Sequence, residues 1–374
     1  MSERFERFGP YVLLEPVRGG GMARLDIGVS ASHPGDGLVV IKRLCGQDPE
    51  LDMFFEREAK LTALFSHPNL VKTLGIAVDG DEYAMVLEHI DGHSLIELLR
   101  EYQKRGTHCP PAIALRIARE VLIGLAWVHG LRGHDGQPLD VVHRDVTPHN
   151  IMVTREGLVK LIDFGIARLR GDMDMAEGSG FKGKVGYSAP EQLLQTAEVD
   201  HRADVFSLGV VLYELLTGTR LAHGKTFNEQ LARRLSYDPS TMNESAPWIE
   251  AELAALVQRA MAQEADARFA TAAEMRQAID RYGALHGGLA SDMELAVHLR
   301  TLVGQKARER GRQIMNRLRS WREQRPSWDP ENDADTLPAS APPGPRSDFF
   351  CEGERVSEEE LAAVLERERR AVGS

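Results

Sequence analysis

A chain of 374 residues with 43% hydrophobic side chains is long enough for two or three compact units and a sizeable core. Its formal net charge of −11 argues against general nucleic-acid binding, and Cys45, Cys109 and Cys351, widely spaced and without a CxxC pair, suggest neither a disulfide framework nor a zinc site. The opening MSERFERFGP lacks an apolar signal core, and no apolar run approaches the roughly 18 residues of a membrane span, so the expected location is the reducing cytoplasm.

Two β-prone runs, 11–17 and 25–29, flank Arg18-Gly19-Gly20-Gly21-Met22-Ala23. Glycines between strands let backbone N–H groups approach phosphate oxygens with no Cβ in the way, although an ordinary turn has the same composition. Leu38-Val39-Val40-Ile41-Lys42 is an apolar strand ending in a lysine. Over 51–65, Phe54, Leu61, Leu64 and Phe65 recur at helical spacing, Glu58 lies on the same helix, and His67-Pro68 stops it. Strands at 74–78 and 82–87 meet at Asp79-Gly80, a hairpin signal. Ile113, Ile117, Val121, Leu125 and Val128 form the stripe of a core helix, and a polar, turn-rich insertion follows at 133–138.

The stretch 143–165 reads HRDVTPHNIMVTREGLVKLIDFG. Its alternating runs, 151–154 and 158–162, flank Glu156-Gly157 and predict a small hairpin. Asp145 and Asn150 precede that hairpin and Asp163 follows it, so two carboxylates and a carboxamide converge. Hard oxygen donors of this kind, too few to cage a metal unaided, suit Mg²⁺ shared with a phosphate. Residues 166–187 are polar and glycine-containing, poorly suited to regular structure. From Asp204 to Leu216 the chain is almost wholly apolar after its first residue, the pattern of a buried helix.

Beyond Gly288 the composition changes. Between Ser291 and Arg325 nine basic residues face four acidic ones, and Leu299, Leu302, Val303, Ile314, Leu318 and Trp321 predict one or two amphipathic helices with Gly304 and Gly311 as weak points. A Pro/Asp-rich stretch reads as a disordered linker, and Ser357-Glu358-Glu359-Glu360 is a capping-box pattern opening a charged helix. From Pro326 onward twelve acidic residues oppose five basic ones, which suits a tail that folds back on the lobes, binds a partner protein, or stays solvated.

Taken in order, VVIK, Glu58, HRDVTPHN, DFG and Ala189-Pro190-Glu191 resemble a protein kinase, and GGMA, HPNLV, HRDVTPHN and APEQL make the chain similar to bacterial eukaryotic-like (Hanks-type) serine/threonine kinases. The resemblance covers about residues 10–284. It implies an α+β, bilobal fold: a small antiparallel N-lobe sheet with one key helix over 10–88 and a larger, mainly helical C-lobe over 89–284. An N-terminal tail (1–9), a basic helical extension (290–325), a flexible linker (326–355) and a terminal helix (356–371) complete the expected organisation. The implied activity is transfer of the γ-phosphate of Mg-ATP to serine or threonine hydroxyls of protein substrates. Asp145 would then orient the acceptor hydroxyl, Asn150 and Asp163 hold Mg²⁺, and Lys42, paired with Glu58, hold the nucleotide phosphates. Gly19, Gly20, Gly21, Met22 and Val40 would surround the nucleotide, with Leu87, Glu88 and Ile90 along the adenine edge. Asp204 would hold the catalytic loop, Glu191 would pair with Arg268, and Arg144 would anchor a phosphorylated activation segment, for which Ser179 and Ser188 are the available hydroxyls.

Four departures matter. Arg18 and Ala23 replace glycines of the G-x-G-x-x-G pattern, and Thr62 stands where kinases place a hydrophobe. Thr147 replaces the lysine two residues past the catalytic aspartate, while Lys184 replaces the threonine of G-T-x-x-Y, so two residue types look exchanged. A positive charge about 4 Å from a phosphate is worth on the order of 4 kcal/mol at an effective dielectric near 20. Two readings follow: an active kinase in which Lys184 restores that charge, and a pseudokinase that senses nucleotide or regulates a partner through its lobes and tail.

Overall fold

The computed structural model describes residues 5–19, 23–44, 55, 58–80, 82–133, 136–164, 185–194, 199–221, 224 and 226–324. The expected linker and terminal helix lie outside these residues. The strands are β1 (Glu6–Phe8), β2 (Tyr11–Gly19), β3 (Ala23–Ser30), β4 (Leu38–Leu44), β5 (Thr73–Asp79), β6 (Glu82–Glu88), β7 (Gly92–Ser94), β8 (Ile151–Thr154) and β9 (Val159–Leu161). Helix α1 is described at 55 and 58–63. After it come α2 (Leu95–Arg105), α3 (Pro111–His129), α4 (Pro190–Leu194), α5 (Arg202–Thr217), α6 (Phe227–Ser236), α7 (Met242–Ser245), α8 (Ala251–Ala260), α9 (Ala272–Leu285) and α10 (Asp292–Gln324).

Two compact units result. The first comprises residues up to Ser66, Lys72–His89 and the chain from Gln305, and the second His67–Val71 with Ile90–Gly304. In the first, an antiparallel sheet runs β1-β2-β3-β4-β6-β5. Its strands are apolar on both faces, as period-two alternation dictates: Leu13 joins Phe8 and Ile41 on one side, while Val12 and Leu14 join Val29 on the other. Phe55 and Ala59 of α1 pack on Met85 of β6.

The face bearing Val12, Leu14 and Val29 is closed by Leu318 and Trp321 of α10. Arg322 donates to the Pro34 carbonyl at 2.9 Å beside this contact. The sequence predicts one or two amphipathic helices over 290–325, and a single helix, α10, is found there. It runs through the weak points Gly304 and Gly311, where buried Leu302, Val303, Ile314, Leu318 and Trp321 outweigh about 1 kcal/mol per glycine. One expectation is corrected, that of a tail over residues 1–9, since Glu6–Phe8 is a strand paired with β2. Phe8 is buried, and Glu6 accepts from Arg43 at 2.8 Å, which adds an ion pair to the strand pairing.

The second unit is built on α3 and α5, both buried along most of their length, and carries the sheet β7-β8-β9. The β8–β9 hairpin is the expected one. Its turn glycine, Gly157, has φ +89°, and a Cβ there would lie 2.2 Å from the Asp292 carbonyl oxygen at the start of α10. Arg116 pairs with Asp292 and Arg105 donates to the Leu302 carbonyl at 2.7 Å, so α2 and α3 hold this end of α10.

Trp321→Ala is expected to destabilise the first unit by about 3–5 kcal/mol, the usual cost of truncating a buried aromatic. Chemical denaturation checks this, and a loss below about 1 kcal/mol would mean that α10 is dispensable to the sheet.

Candidate active site

The expected site residues fall into two groups, one in each unit. In the first unit, Lys42 and Glu58 form a buried ion pair, Nζ to Oε1 2.6 Å. β4 delivers the lysine, because burial of Val39 and Ile41 on the opposite face turns Val40 and Lys42 the other way. Strand register places Val40 beside Leu87 and Leu87 beside Thr73, one row across β4, β6 and β5. Gly19 ends β2, while Gly20, Gly21 and Met22 lie outside the described residues. Glu88 ends β6, and Ile90 belongs to the second unit.

In the second unit the segment His143–Asn150 is held from below by Asp204. One carboxylate oxygen accepts the Arg144 N–H at 2.8 Å, and the other accepts the His143 N–H and His129 Nε2, both at 2.8 Å. Burial alone would raise the Asp204 pKa, but the His129 hydrogen bond, the attraction of that imidazole and the His143 amide outweigh it, so its pKa lies below the ordinary value. Arg144 sits at φ 63°, as does Asp163, a left-handed backbone that non-glycine residues adopt at a cost. Around Arg144 that conformation is pinned by Asp204 on the N–H and by Gln192, whose side-chain amide donates to the Arg144 carbonyl at 3.1 Å.

Asn150 donates to the Asp145 carboxylate at 2.7 Å and to the Asp145 carbonyl at 2.9 Å. Its amide nitrogen is thereby committed, which leaves the carboxamide oxygen for another partner. The Ile162 N–H donates to the Asn150 carbonyl at 2.8 Å, so Asp163 follows directly on the residue bonded to Asn150. Asn150 and Asp163 together offer hard oxygen donors of the type Mg²⁺ takes alongside phosphates. Among the described residues no group of three or more His, Cys, Asp or Glu side chains forms a self-sufficient metal cage. Thr147 is 2% exposed, and its hydroxyl has no hydrogen-bond partner among the described residues.

Comparison with known protein families matches residues 32–279 to the protein kinase domain. The chain belongs to the protein kinase family. It is 33% identical over 303 residues to tyrosine-protein kinase MasK of Myxococcus xanthus, covering 80% of this chain and 47% of that protein. It is 28% identical over 268 residues to serine/threonine-protein kinase PrkC of Bacillus subtilis (71% and 39%), and 31% over 299 residues to serine/threonine-protein kinase PknB of Mycolicibacterium smegmatis (78% and 44%). It thus spans less than half the length of each of these relatives. The antiparallel sheet of the first unit and the mainly helical second unit are the expected kinase lobes.

Several expected pairs meet in the structure. Lys42 meets Glu58; Asp204 meets the backbone of His143 and Arg144; and Arg268 donates to both Glu191 oxygens, at 2.7 and 2.8 Å. Lys184 and Ser179 lie outside the described residues, so the exchange with Thr147 has only its Thr147 half on view. Sequence reasoning missed His129, the last residue of α3, which completes the Asp204 cluster; its signal was a lone histidine closing an apolar helix. It also missed the packing of the His143 ring on Phe164, centroids 4.4 Å apart. His143 Nδ1 accepts the Asp145 N–H and its Nε2 donates to the Ile162 carbonyl, an arrangement only the neutral ring can make.

Burial lowers the His143 pKa despite the nearby charges of Asp204 and Asp145. Because the folded value is depressed, the stabilisation is fully present above the unfolded value of about 6.5 and is lost as pH falls toward the folded value. Wild-type stability is therefore expected to fall between about pH 7.5 and 5.5, and His143→Gln to flatten that slope. His67 and His298, also lowered chiefly by burial, share this window, so the difference between the two proteins isolates His143. Equal slopes in denaturation titrations would count against a neutral His143.

Proposed function

We propose that this chain is an ATP-dependent protein kinase that transfers the γ-phosphate of Mg-ATP to serine or threonine hydroxyls of protein substrates. The observation that carries the reading is the Asp145–Asn150 hydrogen bond, 2.7 Å, held next to Asp163 by the hairpin backbone. Asp145 accepts or orients the proton of the acceptor hydroxyl, and its bond to Asn150 fixes the carboxylate rotamer for that task. Asn150 and Asp163 are the residues that would hold Mg²⁺, and Lys42, kept in place by Glu58, the α- and β-phosphates. Mg-ATP, when bound, supplies the phosphoryl group. The protein's contribution is position and charge, since phosphoryl transfer requires little covalent chemistry from the enzyme.

Lys184 supplies, on this reading, the positive charge that Thr147 does not. A buried threonine hydroxyl without a partner among the described residues supports it, because such a group calls for an explanation. Among the described residues no helix is long and apolar enough to cross a membrane, which fits kinase action without a span in this part of the chain. MasK is named a tyrosine kinase, so tyrosine is the second candidate acceptor. A pseudokinase that binds nucleotide without transferring phosphate is the alternative class.

Label from γ-labelled Mg-ATP is expected on the protein and on a generic basic acceptor, and phosphoamino-acid analysis assigns serine, threonine or tyrosine. Asp145→Asn is expected to abolish it, and label that survives would remove Asp145 from the chemistry. Lys184→Met is expected to lower turnover by at least about tenfold, the effect of losing about 1.4 kcal/mol of transition-state stabilisation, with recovery in Thr147→Lys/Lys184→Thr. A single variant that transfers phosphate normally would end the exchange idea, and nucleotide-dependent melting without any label would select the pseudokinase.

A further inference from the structure

The Thr62 hydroxyl is spent inside the first unit in an unexpected way. Thr62 is 3% exposed and Thr73 8% exposed, and the Thr73 hydroxyl donates to the Thr62 oxygen at 2.9 Å. Thr62 in turn donates to the Glu58 carbonyl, one helical turn back, at 2.8 Å. Thr73 opens β5 beside an irregularity in its pairing with β6, where Thr73 faces Leu87 and Gly75 faces Val86. The same strand end is bound twice to β6: the Glu88 N–H donates to the Lys72 carbonyl at 3.0 Å, and the Lys72 N–H to the Glu88 carboxylate at 2.9 Å.

These bonds form one chain. It runs from Glu88 and Leu87 through the start of β5 to Thr73, then to Thr62, to the Glu58 turn of α1, and through the Glu58 carboxylate to Lys42. Its surroundings are apolar, with Ala59, Met85, Ile76 and Leu87 packed together. Packing alone would favour two valines here, since a buried hydroxyl gains nothing over a methyl group unless it is bonded. The difference lies in direction. Apolar contacts tolerate sliding of a helix over a sheet, whereas a hydrogen bond weakens steeply outside a narrow range of distance and angle.

We infer that the Thr62–Thr73 hydroxyl pair is a positioning latch, which sets the height of α1 against β5 and so holds Glu58 level with Lys42 in register with the β6 end that carries Leu87 and Glu88. The inference rests on the nucleotide-binding reading above. Thr62 and Thr73 are positioning residues, acting through the ion pair and not on the nucleotide.

The test compares the full-length protein with Thr73→Val, Thr73→Ser and Thr62→Val/Thr73→Val, reading the Kd for Mg-AMP-PNP by calorimetry and the Tm without nucleotide. Thr73→Val is expected to raise the Kd by about three- to tenfold, the range that one buried hydrogen bond spans, and Thr73→Ser to stay near wild type. The double valine variant separates position from stability. With no hydroxyl left unpaired its Tm is expected at or above that of wild type, while its Kd stays raised. A double variant that binds as tightly as wild type overturns the latch, as does a Kd that only follows Tm. Wild-type protein that binds no Mg-AMP-PNP overturns the nucleotide reading and the latch with it, an outcome distinct from wild-type binding that the valines leave untouched.

Discussion

One buried carboxylate carries the geometry of the loop 143–150. Asp204 is fully buried and accepts from two consecutive backbone amides and one imidazole. Backbone N–H groups in a loop that forms no regular structure need acceptors, and a loop buried without them would not persist. Asp204 supplies both acceptors from the rigid, apolar α5, so the left-handed Arg144 and the Asp145 that follows have one stable arrangement. An anion so deep in the protein is tolerable only because its bonds and nearby charges offset its desolvation. Loss of any one of them would leave part of that cost uncompensated.

The first unit solves a related problem by different means. Lys42 and Glu58 come from a strand and a helix sixteen residues apart, and both are buried. A buried ion pair is weak as a source of stability but sensitive to geometry. Its alignment depends on how α1 sits on the sheet, which is decided by Phe55 and Ala59 against Met85 and by the threonine pair. Hydrophobic burial supplies the adhesion and the hydroxyls supply the direction. Farther along the same face, Leu318 and Trp321 of α10 cover Val12, Leu14 and Val29, which β2 and β3 would otherwise show to water.

Strands β2 to β6, helices α1, α3, α5 and α10 and the β8–β9 hairpin were legible from the residues themselves. Alternation over 151–154 and 158–162 with Glu156-Gly157 between them leaves little but a hairpin, and a hairpin necessarily brings residue 150 close to residue 163. Longer-range pairings came from the resemblance to kinases. Nothing within the chain says that Asp204 should meet His143, or Glu191 meet Arg268, over sixty residues or more. Glu6–Phe8 escaped notice because three residues are too few to show a period, and their strand character depends on the partner they find in β2.

By itself the sequence determined the chemistry available and the faces on which it would be presented. Side-chain type and period are local properties, so Lys42 at the end of an apolar strand, Asp145 with Asn150 ahead of a hairpin and an apolar stripe on α10 are fixed before any folding. Only the tertiary structure decided which surfaces meet. Period identifies an apolar face but not the face that covers it, so the stripe on α10 does not by itself say that Leu318 and Trp321 lie against β2 and β3. The same limit hid the hydroxyl pair, because a threonine in a helix and another at the head of a strand carry no mark of each other until packing brings them within a hydrogen bond.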